Sequence, residues 1–285
     1  MGSERSLCLT ACACVLRCLS AGAGDLGSSS PSAVWLQWYG PDGYGNGQGC
    51  YVPENNRLTD HGLVQSATHQ PTNCAGKSLP YATAQMSWKS YSFTYGVIEY
   101  RAKFAGGKGT WPAIWLLGAQ CQPYGSGPNC HWPRSGSNEI DLTEVKINLD
   151  PKRPQPYQLA WQNVFNQKTG AARYCIPNLS DVTRNYHDYK FVWSPTSLIW
   201  SVDGVQTCVT HSPDHIPTTP MFVLIDVYLG KKDGGGPIDP TTFPQSTNLQ
   251  YLRICPNGTV ACDAAHASIF DDEFQPGVPA RYPER

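Results

Sequence analysis

The stretch Ser137-Asn138-Glu139-Ile140-Asp141-Leu142-Thr143-Glu144-Val145 constrains the chain more than any other. Three carboxylates fall within six residues, interleaved with Ile140, Leu142 and Val145, which is the composition of a β-strand that carries an acid cluster. On a pleated strand, residues two apart share a face, so Glu139 and Asp141 point the same way. Glu144 is an odd step away. Either it is a solvated outlier, or a β-bulge around Leu142 or Thr143 returns it to the face of the other two. Like charges on one buried face repel, and burial raises carboxylate pKa values, so stability alone disfavours the arrangement. A glycosidase needs it, with one carboxylate ionised and another protonated. A metal site or a solvated edge strand remains open on spacing alone.

With 285 residues the chain can bury a large core. Charged residues are few and net charge is −1, without the clustered basic face of a nucleic-acid binder. Gly, Pro and aromatics are abundant and long helical periodicity is missing, so the reading is an all-β sandwich or barrel. Residues 1–23 combine Arg5, a short apolar run and Ala21-Gly22-Ala23. They read as a secretory signal peptide, too short to span a membrane, with a plain N-terminal tail as the alternative. A Ser/Gly-rich linker follows over 24–34, then a single domain over 35–285. Eight Cys lie beyond the leader, none at zinc-finger spacing, and read as disulfides in an oxidising compartment. Cys121–Cys130 and Cys255–Cys262 are the expected local pairs. Asn178 and Asn257 open glycosylation sequons.

Along the chain, Trp35 to Gly49 reads as turns rather than strand. Tyr95 to Phe104 alternates, with Ile98, Tyr100, Ala102 and Phe104 on one face and Val97, Glu99, Arg101 and Lys103 on the other. Glu99 and Arg101 are a solvated ion pair or reach a sugar hydroxyl. Thr110 to Gly118 is a buried strand with two Trp. The long loop Ala119 to Asn138 carries Trp132-Pro133 just before the acids. A Trp ring beside carboxylates suits a sugar, whose apolar face stacks on an aromatic plane; each Trp taken singly also fits the core. Asp203-Gly204 is a two-residue hairpin turn. Asp226, alone in the apolar run Met221 to Tyr228, is hydrogen-bonded in the core or faces a cleft.

The order Tyr95-Gly96-x-x-Glu99-x-Arg101-x-Lys103, Gly109-Thr110-Trp111-Pro112-Ala113-Ile114-Trp115-Leu116-Leu117-Gly118, Trp132-Pro133 and Glu139-Ile140-Asp141-Leu142-Thr143-Glu144 resembles glycoside hydrolase family 16. His187-x-Tyr189-x-Phe191-x-Trp193, Val202-Asp203-Gly204 and Thr242-Phe243-Pro244 continue the likeness, which covers Trp35 to Ile254. It implies a β-jelly roll of two curved antiparallel sheets with a cleft on the concave side. The acid strand resembles the bulged, laminarinase-like form. The resemblance makes Glu139 the nucleophile, Glu144 the acid/base and Asp141 the modulator between them, in a retaining mechanism with carboxyls about 5 Å apart. Trp111 and Trp132 resemble sugar-stacking aromatics, Glu99 and Arg101 a cleft-facing polar pair, and Asn163, Asp226 and Tyr228 further cleft residues. Trp115 is left in the core.

Two departures stand out. The family usually begins with a strand ending Asp-Glu-Phe; here Ser268 to Phe274 near the C-terminus holds that pattern, as a circularly permuted first strand or as an acidic tail. Gln250 stands where the family often has an Asp that helps hold structural calcium, which argues against calcium; no metal or cofactor is expected. The implied protein is a secreted monomer, neither nucleic-acid- nor membrane-bound, that cleaves β-1,3- or mixed β-1,3/1,4-glucan internally. The alternatives are a non-catalytic β-glucan-binding protein, a hydrolase of agarose, carrageenan or xyloglucan, or a transglycosylase.

Overall fold

The computed structural model describes residues 34–42, 48–125, 127, 129–132, 137–147, 158–177, 179, 182–230, 237–255 and 270–276. The leader, nearly all of the linker, both sequon Asn residues and Cys262 lie outside these. The strands are β1 (Trp35–Gln37), β2 (Gly40–Pro41), β3 (Gly49–Tyr51), β4 (Asn56–Thr59), β5 (Gly62–Ala67), β6 (Thr72–Cys74) and β7 (Lys77–Leu79). Then follow β8 (Tyr81–Trp88), β9 (Gly96–Lys103), β10 (Thr110–Gly118), β11 (Glu139–Ile147), β12 (Gln158–Phe165) and β13 (Ala172–Cys175). The last are β14 (His187–Trp193), β15 (Leu198–Val202), β16 (Val205–Thr210), β17 (Met221–Leu229), β18 (Gln245–Cys255) and β19 (Phe270–Asp272).

Two large sheets form a jelly-roll sandwich. The cleft sheet runs β13-β12-β11-β10-β17-β8-β3-β2, with β1 also on β8. The outer sheet runs β16-β15-β14-β9-β18-β5-β4, with β19 on β18. Apolar residues at alternate positions, among them Ile98 and Tyr100 of β9, Ile114 and Leu116 of β10, Ile140 and Val145 of β11 and Phe191 of β14, fill one continuous core between them. The turn at Asp203-Gly204 joins β15 to β16 with both residues at positive φ (50° and 78°), the backbone of a type I′ hairpin. At the β4–β5 turn Gly62 has φ +105°, and a Cβ there would stand 2.2 Å from the Leu249 carbonyl oxygen, so no other residue fits.

Several expectations need correction. Part of the stretch read as turns, Trp35 to Gly49, pairs as the short strands β1 to β3. Strand β8 alternates Ala82, Ala84, Met86 and Trp88 with Tyr81, Thr83, Gln85 and Ser87, and both faces are buried. The charged face of β9 belongs to the outer sheet. Glu99 lies opposite Lys190 and Arg101 opposite Asp188 on β14, with ion pairs of 3.3 and 2.6 Å. These are cross-strand pairs on the surface away from the cleft, so neither Glu99 nor Arg101 is a cleft residue.

Disulfides join Cys50–Cys74, Cys121–Cys130 and Cys175–Cys208. Cys255 is also disulfide-bonded, to a partner outside the described residues.

The C-terminal segment is part of the sandwich. Strand β19 pairs antiparallel with β18 through Leu252↔Asp272, Arg253↔Asp271 and Ile254↔Phe270. Asp272 accepts a hydrogen bond from the Trp35 indole N–H at 2.9 Å, and Arg253 pairs with Glu273. Phe274 is buried against Trp35, with ring centroids 5.9 Å apart. The acidic-tail reading therefore does not hold for these residues. Truncating a buried Phe costs about 3 kcal/mol or more. Phe274→Ala is expected to lower the melting temperature by roughly 6–12 °C, and removal of residues 268–285 by at least as much. An unchanged thermal unfolding curve for both variants would exclude β19 from the folded sheet.

Candidate active site

Strand β11 carries the extra residue that the acid spacing allows. Against β10, Asp141 pairs with Trp115 and Thr143 with Ile114, which leaves Leu142 unpaired. Against β12, Asp141 pairs with Asn163 and Glu144 with Trp161, so three steps on β11 face two on its neighbour. This is a β-bulge at Leu142–Thr143. Beyond it, Glu144 and Lys146 share the cleft face with Glu139 and Asp141, while Leu142 and Val145 stay in the core.

The bulge is gripped from behind by the outer sheet. The Trp200 indole N–H of β15 donates to the Asp141 carbonyl at 3.1 Å. The Tyr100 hydroxyl of β9 hydrogen-bonds Thr143 Oγ1 at 2.7 Å. These contacts stand on either side of Leu142, so the backbone that aims Glu144 is fixed by the opposite layer of the sandwich.

A cavity of about 410 Å³ opens on this face, within the usual range for a ligand site. Of the ten candidate site residues, eight line it: Glu139, Asp141, Glu144, Trp111, Trp132, Asn163, Asp226 and Tyr228. Only Glu99 and Arg101 do not. Trp115, expected in the core, is buried beneath the cleft floor and lines it too. Sequence reasoning also passed over Tyr51, Tyr124, Lys146, Trp161, Phe165 and Tyr174. Strand parity was the usable signal for Trp161 and Phe165, which stand two residues on either side of Asn163.

Three of the four cleft carboxylates accept a hydrogen bond from an indole N–H, and the fourth, Asp141, accepts one from Asn163. Trp132 donates to Glu139 at 2.6 Å, Trp111 to Glu144 at 2.7 Å and Trp115 to Asp226 at 2.8 Å. Asn163 Nδ2 bridges Glu144 (2.5 Å) and Asp141 (3.1 Å). The Lys146 ammonium lies 3.2 Å from Glu144 and 4.2 Å from the Trp111 ring centre. With its N–H on Glu144, a cation over its face and Tyr228 edge-on at 5.1 Å, Trp111 orients the acid more than it offers a bare sugar platform.

Burial pushes these acids toward the neutral form. Glu139 rises to about 7, first by desolvation and then by the charge of Glu144. Asp141 is raised well above the usual carboxylate range by the same two effects, and it hydrogen-bonds Glu139. The Glu139–Asp141 pair therefore shares a proton near neutrality, with Asp141 as its main holder. Asp226 rises to about 8, mainly by desolvation. Asp42, buried outside the cleft beside Gly49, rises to about 7 for the same reason. Among the described residues, no group of three or more His, Cys, Asp and Glu is arranged to hold a metal ion.

These shifts fix the sign of the pH dependence of stability. An acid with a raised folded-state pKa keeps its proton when the unfolded chain has lost it. Its contribution is complete below about pH 4 and is lost as pH rises through 7 to 8. The melting temperature is expected to fall between pH 5 and pH 8.5, and Asp226→Asn to flatten that slope. A melting temperature that climbs over this interval in the wild type would contradict the assigned protonation.

The sequence and fold match known proteins. The model of glycosyl hydrolases family 16 matches residues 57–248. A beta-glucanase from Rhodothermus marinus is 29% identical over 238 residues, 77% of this chain and 78% of that protein. Glucan endo-1,3-beta-glucosidase A1 of Niallia circulans is 27% identical over 187 residues, 61% of this chain and 26% of that longer protein. The crystal structure of the laminarinase catalytic domain from Thermotoga maritima superposes with a TM-score of 0.63 at 25% identity, covering 79% of this chain and 92% of that one. With a match across most of its sandwich and a cleft built around the acids of β11, the chain belongs to glycosyl hydrolase family 16 and is a glycoside hydrolase.

Proposed function

We propose that the protein is a secreted endo-acting β-glucanase that cleaves β-1,3- or mixed β-1,3/1,4-linkages with retention of configuration. The observation that carries this reading is the bulge at Leu142–Thr143, which puts Glu139, Asp141 and Glu144 on one cleft wall. The open cleft and the named activities of the beta-glucanase and laminarinase relatives support the substrate. The disulfides support an oxidising compartment, hence secretion.

In this mechanism Glu139 attacks the anomeric carbon while Glu144 protonates the departing glycosidic oxygen. The covalent glycosyl–Glu139 ester is then hydrolysed by a water from which Glu144 removes a proton, and Glu139 leaves as carboxylate. The Trp132 N–H holds Oε2 of Glu139 and fixes the orientation of the attacking carboxylate. Protonated Asp141 donates to Glu139 and keeps a second full negative charge out of the buried pair. Glu144 receives hydrogen bonds from Trp111 and Asn163 and the Lys146 ion pair. Substrate entry must loosen one of these contacts before Glu144 can present a proton to the leaving oxygen.

Reducing-sugar release from laminarin and lichenan, against agarose as control, tests the reading. Release from a glucan, with internal cuts seen as a rapid fall in viscosity, is the expected result. Binding without release from any polymer would favour the non-catalytic alternative. Glu139→Gln is expected to lower kcat by at least about 10³-fold while folding and glucan binding persist. Substantial residual turnover would remove Glu139 from the nucleophile role.

A further inference from the structure

The acids sit on the third strand from one margin of the cleft sheet, so the cleft has a short arm over β12 and β13 and a long one over β10, β17, β8 and β3. The short arm has a composition of its own. Across it, Glu144 stands opposite Trp161, Asp141 opposite Asn163 and Glu139 opposite Phe165. Asn163 in turn stands opposite Tyr174 on β13. Strands are about 5 Å apart, so Tyr174 lies roughly 10 Å from Asp141 across the sheet. That is room for one or two pyranose rings beyond the bond at the acids.

Two buried polar atoms of this arm have no hydrogen-bond partner in the protein: the Trp161 indole N–H and the Asn163 side-chain oxygen. They lie two residues apart on one strand face and both residues line the cleft. One is a donor and the other an acceptor, and a sugar hydroxyl serves either. Beyond them stands Tyr174, 53% exposed, one of three large hydrophobic side chains so exposed among the described residues. Its ring meets Phe165 in a T-shaped contact at 5.3 Å, and the residue stays half exposed. The next residue, Cys175, is tied to Cys208 of the outer sheet, so the platform stands on a fixed strand.

We propose that this margin is a second sugar-binding arm: Tyr174, backed by Phe165, stacks on a pyranose ring of the substrate chain while Trp161 and Asn163 pair with hydroxyls of the ring nearer the acids. The proposal rests on the glucanase reading given above and adds to it a dependence on chain length. An aromatic stacking contact contributes about 0.5–1.5 kcal/mol. Its loss lowers kcat/KM roughly 2- to 10-fold, and only for substrates long enough to reach β13.

The test is a ladder of purified β-1,3-glucan oligosaccharides, from the shortest one cleaved to the longest soluble one, with kcat/KM measured at each length. Tyr174→Ala is expected to lose 2- to 10-fold on the long members, through KM, and nothing on the shortest. Tyr174→Phe should behave as the wild type, since the stacking face is kept. Trp161→Phe, which keeps a ring but removes the N–H, should lower kcat/KM at every length that fills the inner position. Melting temperatures near that of the wild type establish that the variants are folded. A Tyr174→Ala profile that matches the wild type at all lengths, or that falls by one factor at all lengths, overturns the proposal. If the wild type cleaves no member, the glucanase reading fails. The arm is then judged by binding of the same ladder, where equal affinities of wild type and Tyr174→Ala for the long members would overturn it.

Discussion

The hold of the outer sheet on the bulge in β11 is the contact on which the rest of the site depends. A regular strand would turn Glu144 to the core, where an unpaired carboxylate costs several kcal/mol. One extra residue reverses that, but a bulge left to itself weakens the ladder. Here the Trp200 N–H takes the Asp141 carbonyl and the Tyr100 hydroxyl meets Thr143, one contact on each side of Leu142. Tyr100 is itself stacked on Tyr189 at 4.7 Å. The geometry of the acids is thus set by side chains that never reach the cleft.

The second constraint is electrostatic. Four carboxylates line one cleft with Lys146 as the single Lys or Arg among its lining residues. Desolvation drives the acids toward neutrality, while indole N–H groups from three Trp favour their charged forms. A Trp donates one hydrogen bond and cannot accept, so it orients a carboxylate without adding charge. Trp111, Trp115 and Trp132 therefore act on the acids through nitrogen as much as on any sugar through carbon.

Local patterns made much of this visible in the sequence. The acid strand, its bulge and the I′ hairpin at Asp203-Gly204 follow from parity and turn chemistry, which act over a few residues. So does the short Cys121–Cys130 link. What stayed hidden depends on tertiary position. Alternation along β9 separates two faces without saying which meets the cleft, so Glu99 and Arg101 were placed on the wrong side. Strand β8 has a period of two, but its polar face, with Thr83, Gln85 and Ser87, is buried as well as its apolar one, which the period does not reveal. Cys50–Cys74 and Cys175–Cys208 join elements whose proximity only the assembled sandwich reveals. Tyr174 gave no signal because β13 is a short strand of mostly exposed residues.

The Cys175–Cys208 bond has a meaning beyond the cleft. β13 is the last strand of one sheet and β16 the last strand of the other. Each has a row of backbone groups that could template pairing with a strand of a second molecule. The bond draws the two margins together, and Thr207 adds a hydrogen bond to Gln162 of the neighbouring β12 at 2.7 Å. Here a single covalent cross-link ties the margin of the cleft sheet to the outer sheet and leaves the cleft face free, so the strand that borders the site cannot peel from the sandwich without breaking a covalent bond.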